Sequence, residues 1–169
     1  MTAYILILIG IMARIIPHVP NYAPITAIAL FSGAYLNKKY AYFIPLVIMI
    51  ISDLIIGLHD MILFTWGAFC LTILIGIWLK EQKGIKNILL SSIMASLLFF
   101  VVTNFGVWLF WYPNTLQGFL NCYIKALPFL RDTAASSIIF TFGFFGAYEL
   151  IKKIVLKLNK KYISVPAKV

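Results

Sequence analysis

A carboxylate inside an apolar run is the first residue of this chain whose chemistry needs an account. Asp53 stands in the later half of Ala41–Gly57, among isoleucines and leucines. An ionisable group within such a run is costly, faces the interior of a helix bundle and meets a partner there. Arg14 is one candidate partner, unless it snorkels to an interface. His18 and His59 are either interfacial histidines or ligands. Asn21 belongs to a stiff loop, and Asn104 lies among apolar residues where it needs a neighbouring helix or a solute. Trp108, Asn121 and Lys125 complete the set, with Gln117, Asn121 and Lys125 four apart on one helical face. Cations, imidazoles, amides, an indole and one carboxylate make a recognition set. They suit a small polar or amphipathic solute.

Support for catalysis is thinner. The chain has no phosphate-binding Gly-x-x-x-x-Gly-Lys, no His-Glu-x-x-His, no Gly-x-Ser-x-Gly and no dinucleotide fingerprint, and it is read as no enzyme. His18, His59, Asp60 and Cys122 offer metal donors, but no two share a ligand-like helical spacing. A rival reading keeps His18, His59 and Asp53 as the centre of an intramembrane enzyme or metal-binding protein. A third is a structural membrane protein whose outer polar groups only pair with one another. Nothing in the sequence calls for a cofactor.

The elements that position these residues are apolar helices. The 169 residues are 63% hydrophobic and 11% charged, with mean hydropathy +0.99. A soluble domain carries about 25% charged residues, so the expectation is an all-α membrane protein, a single six-helix transmembrane bundle. The spans expected are 3–16, 24–36, 41–57, 61–79, 87–110 and 133–151, followed by a basic tail over 152–169. The first run lacks a basic leader and a small-residue cleavage site and is read as a span rather than a signal peptide. The first two runs are short of the ~20 residues that cross a bilayer. They flank Pro17-His18-Val19-Pro20-Asn21-Tyr22-Ala23-Pro24, whose prolines enforce extended backbone. At membrane depth such backbone is buried in protein or lines a cavity. This proline-rich first outer loop is therefore a candidate wall of the site, or else a plain stiffened turn. In the second run Ala29-x-x-x-Gly33 lets a neighbouring helix approach closely.

Between the fifth and sixth spans, Leu116, Phe119, Leu120, Tyr123, Ile124 and Leu127 recur at helical spacing. The pattern predicts an amphipathic outer helix within Pro113–Asp132, opened by an Asn114/Gln117 capping box and stopped by Pro128. It lies flat on the membrane or lids a cavity. Asp132 then caps the sixth span.

With six spans, eleven of the fourteen basic residues fall on one face, leaving Arg14, Lys125 and Arg131 on the other. The positive-inside rule puts both termini in the cytoplasm of a multi-pass cell-membrane protein. Trp66, Trp108, Trp111 and Tyr112 then form the outer aromatic belt. The net charge of +9 sits between apolar spans, so nucleic acid is no partner. The tail suits anionic lipids instead. Cys70, inside a span, and Cys122, in the outer segment, are not expected to form a disulfide.

Pro17–Ile25, Ala29–Tyr35, Ser52-Asp53 with Gly57 and His59, Thr103–Trp108 and Cys122–Phe129 together resemble a family of small bacterial membrane proteins of unknown function that are labelled transport proteins. More loosely, six short spans and an outward polar pocket resemble the substrate-binding S-components of energy-coupling-factor transporters. The first helix departs from their Ala-x-x-x-Ala face, offering only Gly10 and Ala13. The resemblance implies a substrate-capture subunit served by a separate energising module, or a small solitary transporter.

Overall fold

Lipid offers a backbone no hydrogen-bond partners, so apolar runs of this length are expected to close their bonds within helices. The structure, a computed structural model, describes residues 4, 5, 7–9, 12, 22, 24–58 and 60–163. Among them there are helices and no strand: α1 (Ile25–Tyr35), α2 (Lys38–Ile56), α3 (Ile62–Leu79), α4 (Ile85–Trp111) and α5 (Leu116–Ile163). Tyr4, Ile5, Ile7, Leu8, Ile9 and Met12 are helical as well, with Ile7 buried and the others exposed. Four helices, α2 to α5, are long and apolar enough to cross a membrane. Most of their large apolar side chains face outwards, as lipid-facing surfaces do.

The organising element is α1. Its eleven residues rise ~16 Å, against ~40 Å for the 27 residues of α4. Every side chain from Thr26 to Ala34 is buried, and α1 packs against α2, α3, α4 and α5 alike. A helix apolar all round belongs in the centre of a bundle. Its closest neighbour is α3, which it meets at two glycines. A Cβ added to Gly33 would meet the Ile73 carbonyl oxygen, and would stand 2.7 Å from both Gly76 C and Ile77 N. A Cβ on Gly76 would strike the Leu30 carbonyl oxygen. Small residues thus let two helices touch backbone to backbone, with α1 and α3 running in the same direction.

Antiparallel pairing of α4 and α5 is fixed by a ladder of contacts. Trp108 packs on Phe119, Tyr123 donates to the Val101 carbonyl at 2.8 Å, and Ser137 donates to the Ser92 carbonyl at 3.1 Å. Phe64 of α3 meets Phe105 and Phe110 of α4. Asp53, Phe64, Trp108 and Phe119 therefore gather at one end of the bundle. Tyr35, Lys83 and Glu149 gather at the other. These are the Asp53 end and the Lys83 end below.

Two expectations about the segment after α4 are corrected. Pro128 does not stop a helix, because α5 runs unbroken from Leu116 to Ile163 with Pro128 inside it. The ring removes one N–H and crowds the carbonyl four residues back. Apolar helices absorb this through local adjustment and neighbouring side chains. Asp132 consequently lies in mid-helix and caps nothing; its Oδ1 accepts from Arg131 Nε at 3.2 Å. The helix opens one residue later than the Asn114 box predicts. Thr115 is the cap, its hydroxyl oxygen accepting the Gly118 N–H at 3.1 Å. At the end of α2, Gly57 takes φ +117°, a conformation that suits glycine and ends the helix.

Candidate functional site

Asp53 is 1% exposed, so its carboxyl faces the bundle interior. The indole N–H of Trp66 donates to its Oδ2 at 2.7 Å, and Trp66 is one of its partners rather than its only one. Helical spacing explains the meeting. Trp66, Phe69, Ile73 and Gly76 share one stripe of α3, the stripe that faces α1. Trp66 is half-buried: its ring packs against the core and its indole N–H is committed to Asp53.

The Gly33–Gly76 contact also sets where this pair lies relative to α1. Trp66 precedes Gly76 by ten residues, ~15 Å of rise, whereas Ile25 precedes Leu30–Gly33 by ~8–12 Å. By rise alone, Trp66 lies at a level about one helical turn beyond the start of α1. Pro24 flanks that end without a side-chain cap. The first helical bond runs from Ile28 N–H to the Pro24 carbonyl, which leaves the amides of Ile25, Thr26 and Ala27 without an acceptor in the helix. In the same turn Thr26 is 3% exposed, and its hydroxyl has no hydrogen-bond partner among the described residues.

The other candidates separate from this pair. Asn104 Nδ2 donates to the Phe100 carbonyl of its own helix at 2.8 Å, and the Asn104 carbonyl accepts from Cys122 Sγ at 3.5 Å. Trp108 Nε1 donates to the Pro113 carbonyl at 3.1 Å. Both residues stitch the α4–α5 hairpin. Asn121 is exposed and accepts from Gln117 at 3.2 Å, while Lys125 lies 5.9 Å from the Tyr112 ring centroid. Of the helices, α2 packs on α1 and α3 and, among the described residues, meets neither α4 nor α5. Asp53 therefore shares no helix interface with Asn104, Asn121 or Lys125. Arg14, His18, Asn21 and His59 lie outside the described residues. Cys70 and Cys122 are free thiols, and among the described residues no group of three His, Cys, Asp or Glu assembles as a metal site.

The Lys83 end holds a second polar group that the sequence did not single out. Tyr35, the last residue of α1, donates its hydroxyl to Glu149 Oε1 at 3.0 Å. Lys83 Nζ lies 4.3 Å from the Tyr35 ring centroid. Burial pushes the Lys83 ammonium below the usual lysine range, and Glu149 opposes that shift. Phe31 and Tyr35 then pack with Phe145 and Tyr148, so that aromatic rings close this end of the bundle. Tyr35 and Glu149 are 114 positions apart, beyond any local pattern.

A bundle of long apolar helices around a short buried one, with a carboxylate in its interior, defines an all-helical protein of membrane type. The chain belongs to a family of unknown function, DUF6580, whose model matches residues 1–160. No curated protein and no solved structure matches the chain. The family description assigns no activity.

Proposed function

We propose that this is a multi-pass membrane protein that captures a small polar or amphipathic solute from outside. It acts as an S-component-like subunit or a small solitary transporter. One observation carries the reading: Asp53, a carboxylate within a long apolar helix, is buried to 1% and accepts from an indole N–H. Ionisable groups in such places mark solute and ion paths. The aromatic closure at the Lys83 end supports access from the Asp53 end. Both termini are assigned to the cytoplasm on the distribution of lysines. Reporter fusions at Lys39 and Lys83 should read cytoplasmic, and a fusion at Asp60 external; the reverse pattern would invert the direction of capture.

Movement of the solute across the membrane requires a separate energising module or a downhill gradient, and the basic tail from Lys152 rests on anionic lipid. The test is native mass spectrometry of purified protein beside Asp53→Asn. The wild type should retain a small molecule that the variant, folded and inserted normally, releases. A bound metal instead would favour the intramembrane enzyme or metal-binding reading. A wild-type protein with nothing bound, unresponsive to added solutes, would leave a purely structural membrane protein.

A further inference from the structure

The Lys83 end gathers more positive charge than its own carboxylates balance. The loop and first turn over 80–86 and the turn of α5 over 149–153 carry five lysines against Glu81 and Glu149. Glu149 is already engaged, accepting from the Tyr35 hydroxyl at 3.0 Å. Lys83 Nζ lies over the ring of that same tyrosine, 4.3 Å from its centroid. The α3–α4 loop, the end of α1 and α5 therefore meet at one point. Lys152 follows Glu149 by three residues and shares its face of α5. Lys80 precedes Lys83 by three in a loop that is pinned at several places. The Lys80, Gln82 and Gly84 amides donate to the carbonyls of Ile77, Leu79 and Gln82, and Asn87 Nδ2 donates to the Gln82 carbonyl at 2.9 Å. The closeness leaves an electrostatic trace, since Lys152 and Lys80 both push the Lys83 ammonium down. An anion among the three would relieve that repulsion.

The surroundings of these ammonium groups indicate what carries the anion. Trp78, Ile85, Leu150 and Ile154 stand beside the lysines in sequence on α3, α4 and α5, and all are exposed, Ile85 to 77%. Large apolar side chains that give way to lysines match the boundary between acyl chains and headgroups. A free anion would leave that apolar border bare, whereas a phospholipid covers it. We propose that Lys80, Lys83 and Lys152 together hold the phosphate of an anionic phospholipid, whose chains meet the exposed apolar surface bordering them. This site is distinct from the diffuse attraction of the tail beyond it, and it does not depend on what the bundle captures. The lipid fastens the α3–α4 loop to α5 where α1 finishes.

The test uses detergent-purified full-length protein and reads binding as a rise in melting temperature. Phosphatidylglycerol should raise it at a concentration where phosphatidylcholine with the same chains, or inorganic phosphate, does not. Lys80→Gln and Lys152→Gln should each weaken that binding about fivefold, the scale of one lysine at an anionic headgroup. Both side chains are exposed, so neither change disturbs the core. Lys157→Gln, further along α5, removes the same charge and should leave the affinity unchanged. Equal losses in all three variants would show a diffuse basic surface and overturn the site, as would unchanged affinity in Lys80→Gln or Lys152→Gln. An equal rise with phosphatidylcholine would overturn recognition of charge, and an equal rise with phosphate would overturn the lipid. No rise with phosphatidylglycerol would sink the proposal outright.

Discussion

Replacing Gly33 by alanine tests the contact on which the position of the site depends. In an isolated helix this change is favourable by about 1 kcal/mol, since glycine is the poorer helix former. Here the new Cβ would stand 2.7 Å from Gly76 C and Ile77 N, against 3.4–4 Å for ordinary contact. Both atoms are backbone, and no rotamer change can move them aside. Helices α1 and α3 must therefore separate by roughly 0.7 Å, a gap that forfeits a quarter or more of each dispersion contact along the seam. Overpacking of this kind costs ~1–3 kcal/mol, and the unyielding neighbours put Gly33→Ala at the upper end. Set against the gain in propensity, the net loss is ~2 kcal/mol, or about 4–8 °C in melting temperature for a chain of this size. The control is Gly143→Ala on α5, where nothing lies within 4 Å of the added methyl. Thermal unfolding in one detergent should show Gly33→Ala falling and Gly143→Ala holding or rising. Equal melting temperatures for the two variants would refute the close approach of α1 to α3.

Pro128→Ala should leave insertion unchanged and raise stability by up to ~3 kcal/mol, the usual cost of an interior proline; a variant that melts lower would show that the ring serves the fold. Lys83 predicts a pH effect. Burial lowers its folded pKa from 10.5, with Glu149 opposing and Lys152 and Lys80 adding to the shift. The unfolded chain then holds the proton more tightly, so stability rises with pH between the folded value and 10.5. Wild type should therefore gain on Lys83→Gln as alkaline pH is approached, and parallel melting curves across that window would contradict the assignment.

The bounds of α2, α3 and α4 were legible because each is a long apolar run flanked by charge or glycine, and membrane insertion follows from the same pattern. Asp53 was legible as an interior group because a carboxylate has no cheap alternative there. Its partner Trp66 was not, since indoles at span ends serve interfaces and interiors equally well by composition. The continuity of α5 was hidden by Pro128, whose local meaning depends on whether water or lipid and neighbouring helices surround it. Asn104 illustrates a different limit: its need for a partner was evident, but the carbonyl that meets it belongs to its own helix. The Tyr35–Glu149 bond joins opposite ends of the chain, and only the assembled bundle brings them together.

The brevity of α1 has a consequence for how the protein is made. Eleven residues do not cross the ~30 Å core of a bilayer, so α1 cannot anchor itself as it leaves the ribosome. Gly76, against which it seats, is synthesised some forty residues later. Until α3 is inserted, α1 lacks the helix that it touches backbone to backbone, and its packing is incomplete. Helix α1 therefore reaches its final packing only after α3 is in place. During synthesis an element encoded early is among the last to be fully packed.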